Sequence, residues 1–127
     1  MNKYLFYLAV LITSCCFVTS ADSKELVREF KGSGNKTTAE FEVTAPWILD
    51  WRVTSEFQGG MGLQVDLVDS HSGEYLGKVV LTRWVSNGVR LFDESGRFSF
   101  KVSSSFADWT LRVEKLSRQE ALAYTPK

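Results

Sequence analysis

Serine-hydrolase chemistry in this chain would have to begin from a single histidine. His71 is the sole histidine among 127 residues and stands in the stretch Ser70-His71-Ser72-Gly73. A serine hydrolase uses such a base to remove the hydroxyl proton, and a third group orients the base. Small polar residues and glycine are typical of a tight turn. The sequence therefore predicts a histidine on a surface turn rather than a catalytic base.

Three carboxylates surround the same turn and offer the oxygen ligands that Ca²⁺ prefers: Asp66, Asp69 and Glu74. Their spacing matches no calcium-loop pattern, so solvated charges at strand ends are the expectation. Zinc sites draw mostly on cysteine and histidine, and both cysteines lie close to the N-terminus. We predict no metal, no cofactor and no enzymatic activity, with an enzyme built on a carboxylate pair as a remote alternative.

The N-terminal segment predicts export. One lysine, Lys3, precedes an apolar run from Tyr4 to Ile12, and small residues follow. This order is typical of a secretory signal peptide, and the run is too short for a permanent membrane span. We predict that residues 1–20 are cleaved and that the protein is secreted or periplasmic. The stretch Ile12-Thr13-Ser14-Cys15 resembles a lipobox, so lipidation of Cys15 and a membrane-anchored lipoprotein are the alternative.

The remaining chain, residues 21–127, predicts one domain without disulfides. Both cysteines fall within the predicted signal peptide, and a domain of this size buries enough surface to fold on its core alone. The whole sequence carries 15 basic and 15 acidic residues, and these are scattered. Because no basic stripe is present, we expect no nucleic-acid partner. Membrane contact is expected only through the possible lipid anchor.

From Thr38 onward, apolar residues alternate with a period of two, which indicates strands. The predicted inward faces are Ala39, Phe41 and Val43; Trp47, Leu49, Trp51 and Val53; Leu63, Val65 and Leu67; Phe98, Phe100 and Val102; and Trp109, Leu111 and Val113. A further strand is predicted over Leu26 to Lys31. Seven or eight short strands separated by turns predict an all-β fold, an antiparallel sandwich or jelly roll. A capping box at Ser117-Arg118-Gln119-Glu120 predicts a short C-terminal helix.

The tryptophans divide into two groups. Trp47, Trp51 and Trp109 share faces with aliphatic residues, so we expect them in the core, whereas the face of Ile48, Asp50 and Arg52 is expected to meet water. Asn87-Gly88 predicts a hairpin turn that places Trp84 opposite Leu91. Neither face of this hairpin is cleanly apolar. The pattern slightly favours burial of Trp84, which is nevertheless the best candidate for an exposed aromatic residue.

The spacing of aromatic and glycine residues resembles that of small secreted or lipid-anchored bacterial β-sandwich domains, and is also similar to β-sandwich modules appended to secreted peptidases. The residues that carry the resemblance are Phe30, Gly32, Gly34, Thr37, Thr38, Phe41, Val43, Trp47, Leu49 and Trp51, followed by Gly96, Phe98, Phe100, Val102, Ser103, Trp109, Leu111 and Val113. The resemblance implies a jelly-roll-like sandwich that ends in a closing hairpin, and an address in the envelope or outside the cell. It implies no catalytic residue.

These observations predict a non-enzymatic binding or structural module that recognises a protein or glycan of the envelope or the exterior. The candidate binding residues are Trp84, Arg83 and Arg90 on the predicted hairpin, followed by His71 and Tyr75. Arginine and tryptophan are enriched at interface hot spots. The alternative is an inhibitor or immunity-type protein that blocks a secreted hydrolase with the His71-Ser72-Gly73 turn.

Overall fold

The computed structural model describes residues 24–57 and 59–124. Within these ranges the chain forms nine strands and one short helix. The elements are β1 Glu25–Ser33, β2 Lys36–Thr37, β3 Phe41–Val43, β4 Trp47–Thr54, β5 Gly62–Asp69, β6 Tyr75–Thr82, β7 Ser86–Phe92, β8 Gly96–Ser105, β9 Asp108–Lys115 and α1 Arg118–Ala121, followed by a 3-10 turn at Leu122–Tyr124. The predicted signal peptide and the possible lipidation site at Cys15 lie outside the described residues.

The strands form two antiparallel sheets. The first sheet has the order β1-β9-β4-β7, and the second has the order β2-β8-β5-β6 with β3 also paired to β8. The predicted all-β sandwich with a short C-terminal helix is confirmed. The resemblance also implied a closing hairpin, and this is wrong, because β8 and β9 follow each other in sequence but belong to different sheets.

The core lies between the sheets and is rich in aromatic rings. Trp47 is fully buried, and its ring stacks on Phe92 with centroids 4.2 Å apart. Its indole donates a hydrogen bond to the backbone oxygen of Glu94 at 2.9 Å. Trp109 is also buried and donates to the backbone oxygen of Gly34 at 3.1 Å. Each indole therefore buries its ring while its N–H keeps a partner.

Most predicted inward faces are confirmed. The residues concerned are Phe41, Val43, Trp47, Leu49, Val53, Leu63, Val65, Leu67, Phe98, Phe100, Val102, Trp109, Leu111 and Val113, all of which are buried. Trp51 is half-buried and packs against the same core. Ala39 is exposed and precedes β3.

The predicted hairpin about Asn87-Gly88 is wrong. Both residues lie inside β7, where Asn87 pairs with Arg52 and Gly88 pairs with Trp51. A Cβ atom at Gly88 would lie 2.7 Å from the Trp51 ring, so this glycine accommodates an indole rather than a turn. Leu91 consequently pairs with Ile48 and does not face Trp84.

The outer face of the first sheet is partly covered, contrary to the prediction for Ile48. Ile48 has no exposed surface, and a groove of about 490 Å³ separates Pro46 and Leu91 from α1 and Leu122. The C-terminal turns thus fold back beside this face.

A hydrogen bond also attaches the C-terminal tail to the start of β1. Lys24 donates to the Tyr124 hydroxyl at 3.0 Å, and this hydrogen bond raises the pKa of Lys24.

Candidate functional site

One end of the sandwich gathers several connections, because the strand register brings them together. The pairs at this end are Ser33 with Asp108, Thr54 with Asp108, Gly62 with Ser105, Leu63 with Thr82, and Val53 with Ser86. The loops after β1, β4, β6 and β8 therefore meet here. We name Phe57, Arg83, Trp84 and Phe106 the aromatic end.

Two phenylalanine rings at the aromatic end stack on each other in solvent. Phe57 lies in the connection after β4 and Phe106 in the connection after β8, and their centroids are 4.2 Å apart at an angle of 20°. Phe106 remains 65% exposed and Phe57 48% exposed. A Cβ atom at Gly59 would lie 2.6 Å from the Phe57 ring, so the ring also lies close to the Gly59 backbone. The pair is thus a defined apolar platform outside the core.

The backbone that carries this platform is held by a hydroxyl group. The Ser55 hydroxyl accepts a hydrogen bond from the Phe57 backbone N–H at 3.1 Å and donates one to the Phe106 backbone oxygen. Phe106 has a φ of 55°. Among the described residues it is the only non-glycine residue with a positive φ. A bulky residue in this conformation costs about 1–3 kcal/mol and occurs most often at functional positions.

The connection from β6 to β7 carries the third aromatic residue and a cation. Trp84 is 75% exposed, which contradicts the slight preference for burial. Its backbone N–H donates to the Thr82 hydroxyl at 3.1 Å, and its backbone oxygen accepts from Ser86 at 3.1 Å. Arg83 is exposed and forms no ion pair with any other described residue. The backbone is therefore fixed, while the indole and guanidinium groups remain available.

A polar groove of about 420 Å³ opens beside Arg83 on the second sheet. Its lining residues are Asn35, Gly62, Leu63, Gln64, Leu81, Thr82, Arg83 and Ser103–Ser105, which we name the serine groove. An adjoining depression of about 410 Å³ shares Arg83 and Ser105 with this groove and also contacts Phe57 and Phe106. Arg83 thus lies where the apolar platform and the polar groove meet.

Hydrogen bonds fasten one wall of the serine groove. The Asn35 side-chain oxygen accepts from the Ser104 backbone N–H at 2.9 Å, and the Ser104 hydroxyl accepts from the Gly34 backbone N–H at 2.9 Å. The Gly34 backbone oxygen in turn accepts from the buried Trp109 indole. The loop after β1 is therefore tied to both β8 and the core.

The structure separates the five candidate residues derived from the sequence. Arg83 and Trp84 lie at the aromatic end, whereas His71 and Tyr75 lie at the other end of β6, an eight-residue strand of roughly 26 Å. Arg90 lies between these ends on the edge strand β7. Its guanidinium lies over the Phe92 ring, 5.6 Å from the centroid, and donates to the Lys78 backbone oxygen at 3.5 Å. Arg90 therefore bridges the two sheets at their open edge.

The turn between β5 and β6 has the predicted local structure. His71 is exposed, and the Asp69 carboxylate accepts backbone N–H bonds from His71 at 2.8 Å and Ser72 at 3.2 Å. Gly73 has a φ of 80° and closes the turn. Within the described ranges, no three His, Cys, Asp or Glu side chains come together as metal ligands.

Sequence patterns alone did not identify the phenylalanine platform or the serine groove. Phe57 and Phe106 lie 49 positions apart in connections that show no periodicity, so no pattern indicated their stacking. One signal was present, namely the run Ser103-Ser104-Ser105 at the end of a strand that is otherwise apolar at every second position. Such a run of small hydroxyl residues leaves space above a sheet.

The geometry defines an antiparallel β-sandwich that presents aromatic rings, an arginine and a polar groove at one end. No protein-family model matches the chain, and no curated protein matches it either. In the part of the chain that the structure describes, no helix is both long and apolar enough to cross a membrane.

Proposed function

We propose that this protein is a non-enzymatic binding module that acts outside the cytoplasm and recognises a protein or glycan through its aromatic end. The single observation that carries the proposal is the exposed stack of Phe57 and Phe106 on a backbone held by Ser55. The extracytoplasmic address depends on the leader-like sequence of residues 1–20.

The free-energy cost of exposing two phenylalanine rings supports a binding role for this surface. Burying a phenylalanine side chain contributes about 1.5–3 kcal/mol to folding, and two exposed rings forgo much of that contribution. The left-handed conformation of Phe106 adds a further cost. Arg83 and Trp84 in the neighbouring connection are of the types enriched at hot spots. A ligand that covers these rings would recover burial energy that the free protein lacks.

The test removes the rings without disturbing the backbone. Asparagine tolerates positive φ better than most residues, so Phe106→Asn deletes the ring and keeps the conformation. We expect Phe106→Asn and Trp84→Ala each to weaken binding roughly tenfold or more. The measurement is quantitative affinity capture from an envelope extract and from a glycan panel, together with the unfolding temperature of each variant.

A matched control lies at the opposite end of β6. His71→Ala with Tyr75→Ala removes two exposed side chains there, and we expect unchanged recovery of the ligand. Recovery that is insensitive to Phe106→Asn and Trp84→Ala, in variants that still fold, would refute the proposed site.

The second candidate function is inhibition of a secreted hydrolase by the turn between β5 and β6. The Asp69 carboxylate holds this turn in one conformation and leaves His71 exposed, and a preorganised loop lowers the entropic cost of binding. This function predicts that His71→Ala relieves inhibition of an enzyme such as lysozyme. An activity assay with equimolar protein distinguishes it from binding at the aromatic end.

A further inference from the structure

We propose that the ligand of the aromatic end is an acidic saccharide, whose carboxylate binds Arg83 and whose hydroxyl groups occupy the serine groove. This inference rests on the proposed function and names its ligand class. It joins three features that lie side by side: an apolar platform, an unpaired cation and a polar groove.

The shape of the serine groove follows from the strand register. Ser103, Gln64 and Leu81 lie in one row across β8, β5 and β6. Gly62 lies two residues before Gln64 in β5, therefore on the same face, and pairs with Ser105. A Cβ atom at Gly62 would meet nothing within 4 Å, so the missing side chain leaves open space above the sheet. The resulting volume of about 420 Å³ falls in the range of small-ligand sites.

The positive charge of Arg83 at the serine groove favours an anionic ligand. Arg83 is the charged residue in the linings of both the groove and the adjoining depression, and no described aspartate or glutamate belongs to either lining. A guanidinium group presents paired donors that match the two oxygens of a carboxylate. A ligand with a carboxylate at this position would therefore supply the ion-pair partner that no described residue provides to Arg83.

The remaining groups match the alternating polar and apolar character of a sugar ring. The Gln64 amide donates to both carboxylate oxygens of Asp66 at 3.2 Å, which leaves its carbonyl oxygen as an acceptor in the groove. Serine hydroxyls both donate and accept, as sugar hydroxyls do. Leu81, the β6 member of the row that contains Gln64, is 65% exposed. Together with the Phe106 ring it offers apolar surface for the C–H face of a sugar.

Asp66 acts as a positioning residue for the Gln64 side chain. It is 8% exposed although it lies on the outer face of the second sheet, between Lys78 and Lys101 on the neighbouring strands. Its two oxygens hold the Gln64 amide in one orientation. We expect Asp66→Asn to weaken saccharide binding without removing the preference for a carboxylate, since Arg83 is unchanged.

The experiment compares oligogalacturonate with its methyl ester, within a panel of uronic-acid and neutral oligosaccharides, by titration calorimetry on the full chain. Loss of a hydrogen bond to a charged group corresponds to roughly 10- to 100-fold in affinity. We expect Arg83→Gln to weaken binding of the acid by that factor and to leave any residual binding of the ester unchanged. Arg83→Lys should retain part of the affinity, because the charge remains and the paired donors are lost.

Two further variants separate the groove from general electrostatic attraction. Gly62→Leu should fill the groove without backbone strain, because Gly62 lies in extended backbone with open space above it, and it should abolish saccharide binding. Lys78→Gln removes an exposed cation that is outside the groove lining, and it should leave binding unchanged.

The outcomes distinguish this inference from the proposed function. Equal affinity for acid and ester, equal affinity of Arg83→Gln and the unaltered protein, or failure of every acidic member of the panel to bind would overturn the acidic-saccharide assignment. The proposed function survives such a result if another ligand is captured and lost with Phe106→Asn. If no ligand of any class depends on Phe106 and Trp84, both proposals fail together.

Discussion

At the scale of single residues, glycine in this protein serves two opposite purposes. Gly88 lies where the Trp51 indole crosses β7, and a Cβ atom there would lie 2.7 Å from the ring. Gly62 lies where nothing comes within 4 Å. The first glycine accommodates a neighbour, and the second keeps space open.

This contrast makes a quantitative prediction for stability. Gly88→Ala forces the Trp51 ring to move, so we expect a loss of about 1–3 kcal/mol, typical of overpacking. The loss should shrink in a Trp51→Leu background, because the clashing ring is then absent. Urea unfolding of the two single variants and the double variant measures the coupling between these residues.

Gly62→Ala is the matched control, and we expect it to be neutral or to stabilise by up to about 1 kcal/mol, because alanine restricts the unfolded chain. A hairpin turn at Asn87-Gly88 makes a different prediction. Positive φ at Gly88 would make Gly88→Ala equally costly with or without the Trp51 indole, and that result would contradict the strand pairing described here.

At the scale of elements, the C-terminal turns are stabilised by their cap. The Ser117 hydroxyl accepts from the Glu120 backbone N–H at 3.0 Å, and the Glu120 carboxylate accepts from the Ser117 backbone N–H at 2.7 Å. Four-residue helices do not persist without such contacts. The capping box and the Lys24–Tyr124 hydrogen bond therefore hold the tail at the groove that it shares with Pro46 and Leu91.

Ser117→Ala should cost about 1 kcal/mol, the usual value for an N-cap. A loss of this size lowers the unfolding temperature by roughly 4–8 °C for a domain of this size. Amide hydrogen exchange should accelerate most over residues 118–124, and in β5 and β8 by no more than the loss of global stability allows. Ser103→Ala serves as the control, because Ser103 is an exposed serine in β8, an interior strand of the second sheet. This variant should leave the unfolding temperature unaltered.

Alternation in the sequence predicted the inward faces of β4, β5, β8 and β9, because side chains at every second residue of a strand project to the same face. The partners of each strand depend on long-range contacts, and here the sequence was misleading. Asn87-Gly88 is a favourable turn sequence, yet Gly88 pairs within β7 with Trp51, 37 positions earlier. Ile48 is also fully buried, although its alternation with the polar residues Asp50 and Arg52 predicted a face in contact with water.

The candidate site was predicted only in part, for the same reason. Exposed Arg83 and Trp84 were recognised as residue types that favour binding. Their neighbours Phe57 and Phe106 come from connections that only the completed fold brings together. His71 and Tyr75 were further candidates from the sequence, but the extended strand β6 separates them from Trp84.

At the scale of the whole molecule, the exposure of the four tryptophans distinguishes the core from the aromatic end. Trp47 and Trp109 are 0% and 2% exposed, Trp51 is half-buried, and Trp84 is 75% exposed. The sheets thus bury their indoles against each other without a disulfide among the described residues. Because Trp84 is far more exposed than the other three indoles, one ring should account for most of the fluorescence that a soluble quencher can reach.

We therefore expect Trp84→Phe to remove most of the iodide-accessible emission and to shift the remaining spectrum to shorter wavelength, with the unfolding temperature unchanged. Trp109→Phe is the matched comparison: it should leave quenching by iodide intact and lower stability, since the Trp109 indole fills the core and binds Gly34. Extensive quenching that persists in Trp84→Phe would mean that water reaches the interior between the sheets. An exposed aromatic end on a closed sandwich requires the opposite result, because only a rigid, dry core holds Phe57, Arg83 and Phe106 in fixed positions for a ligand.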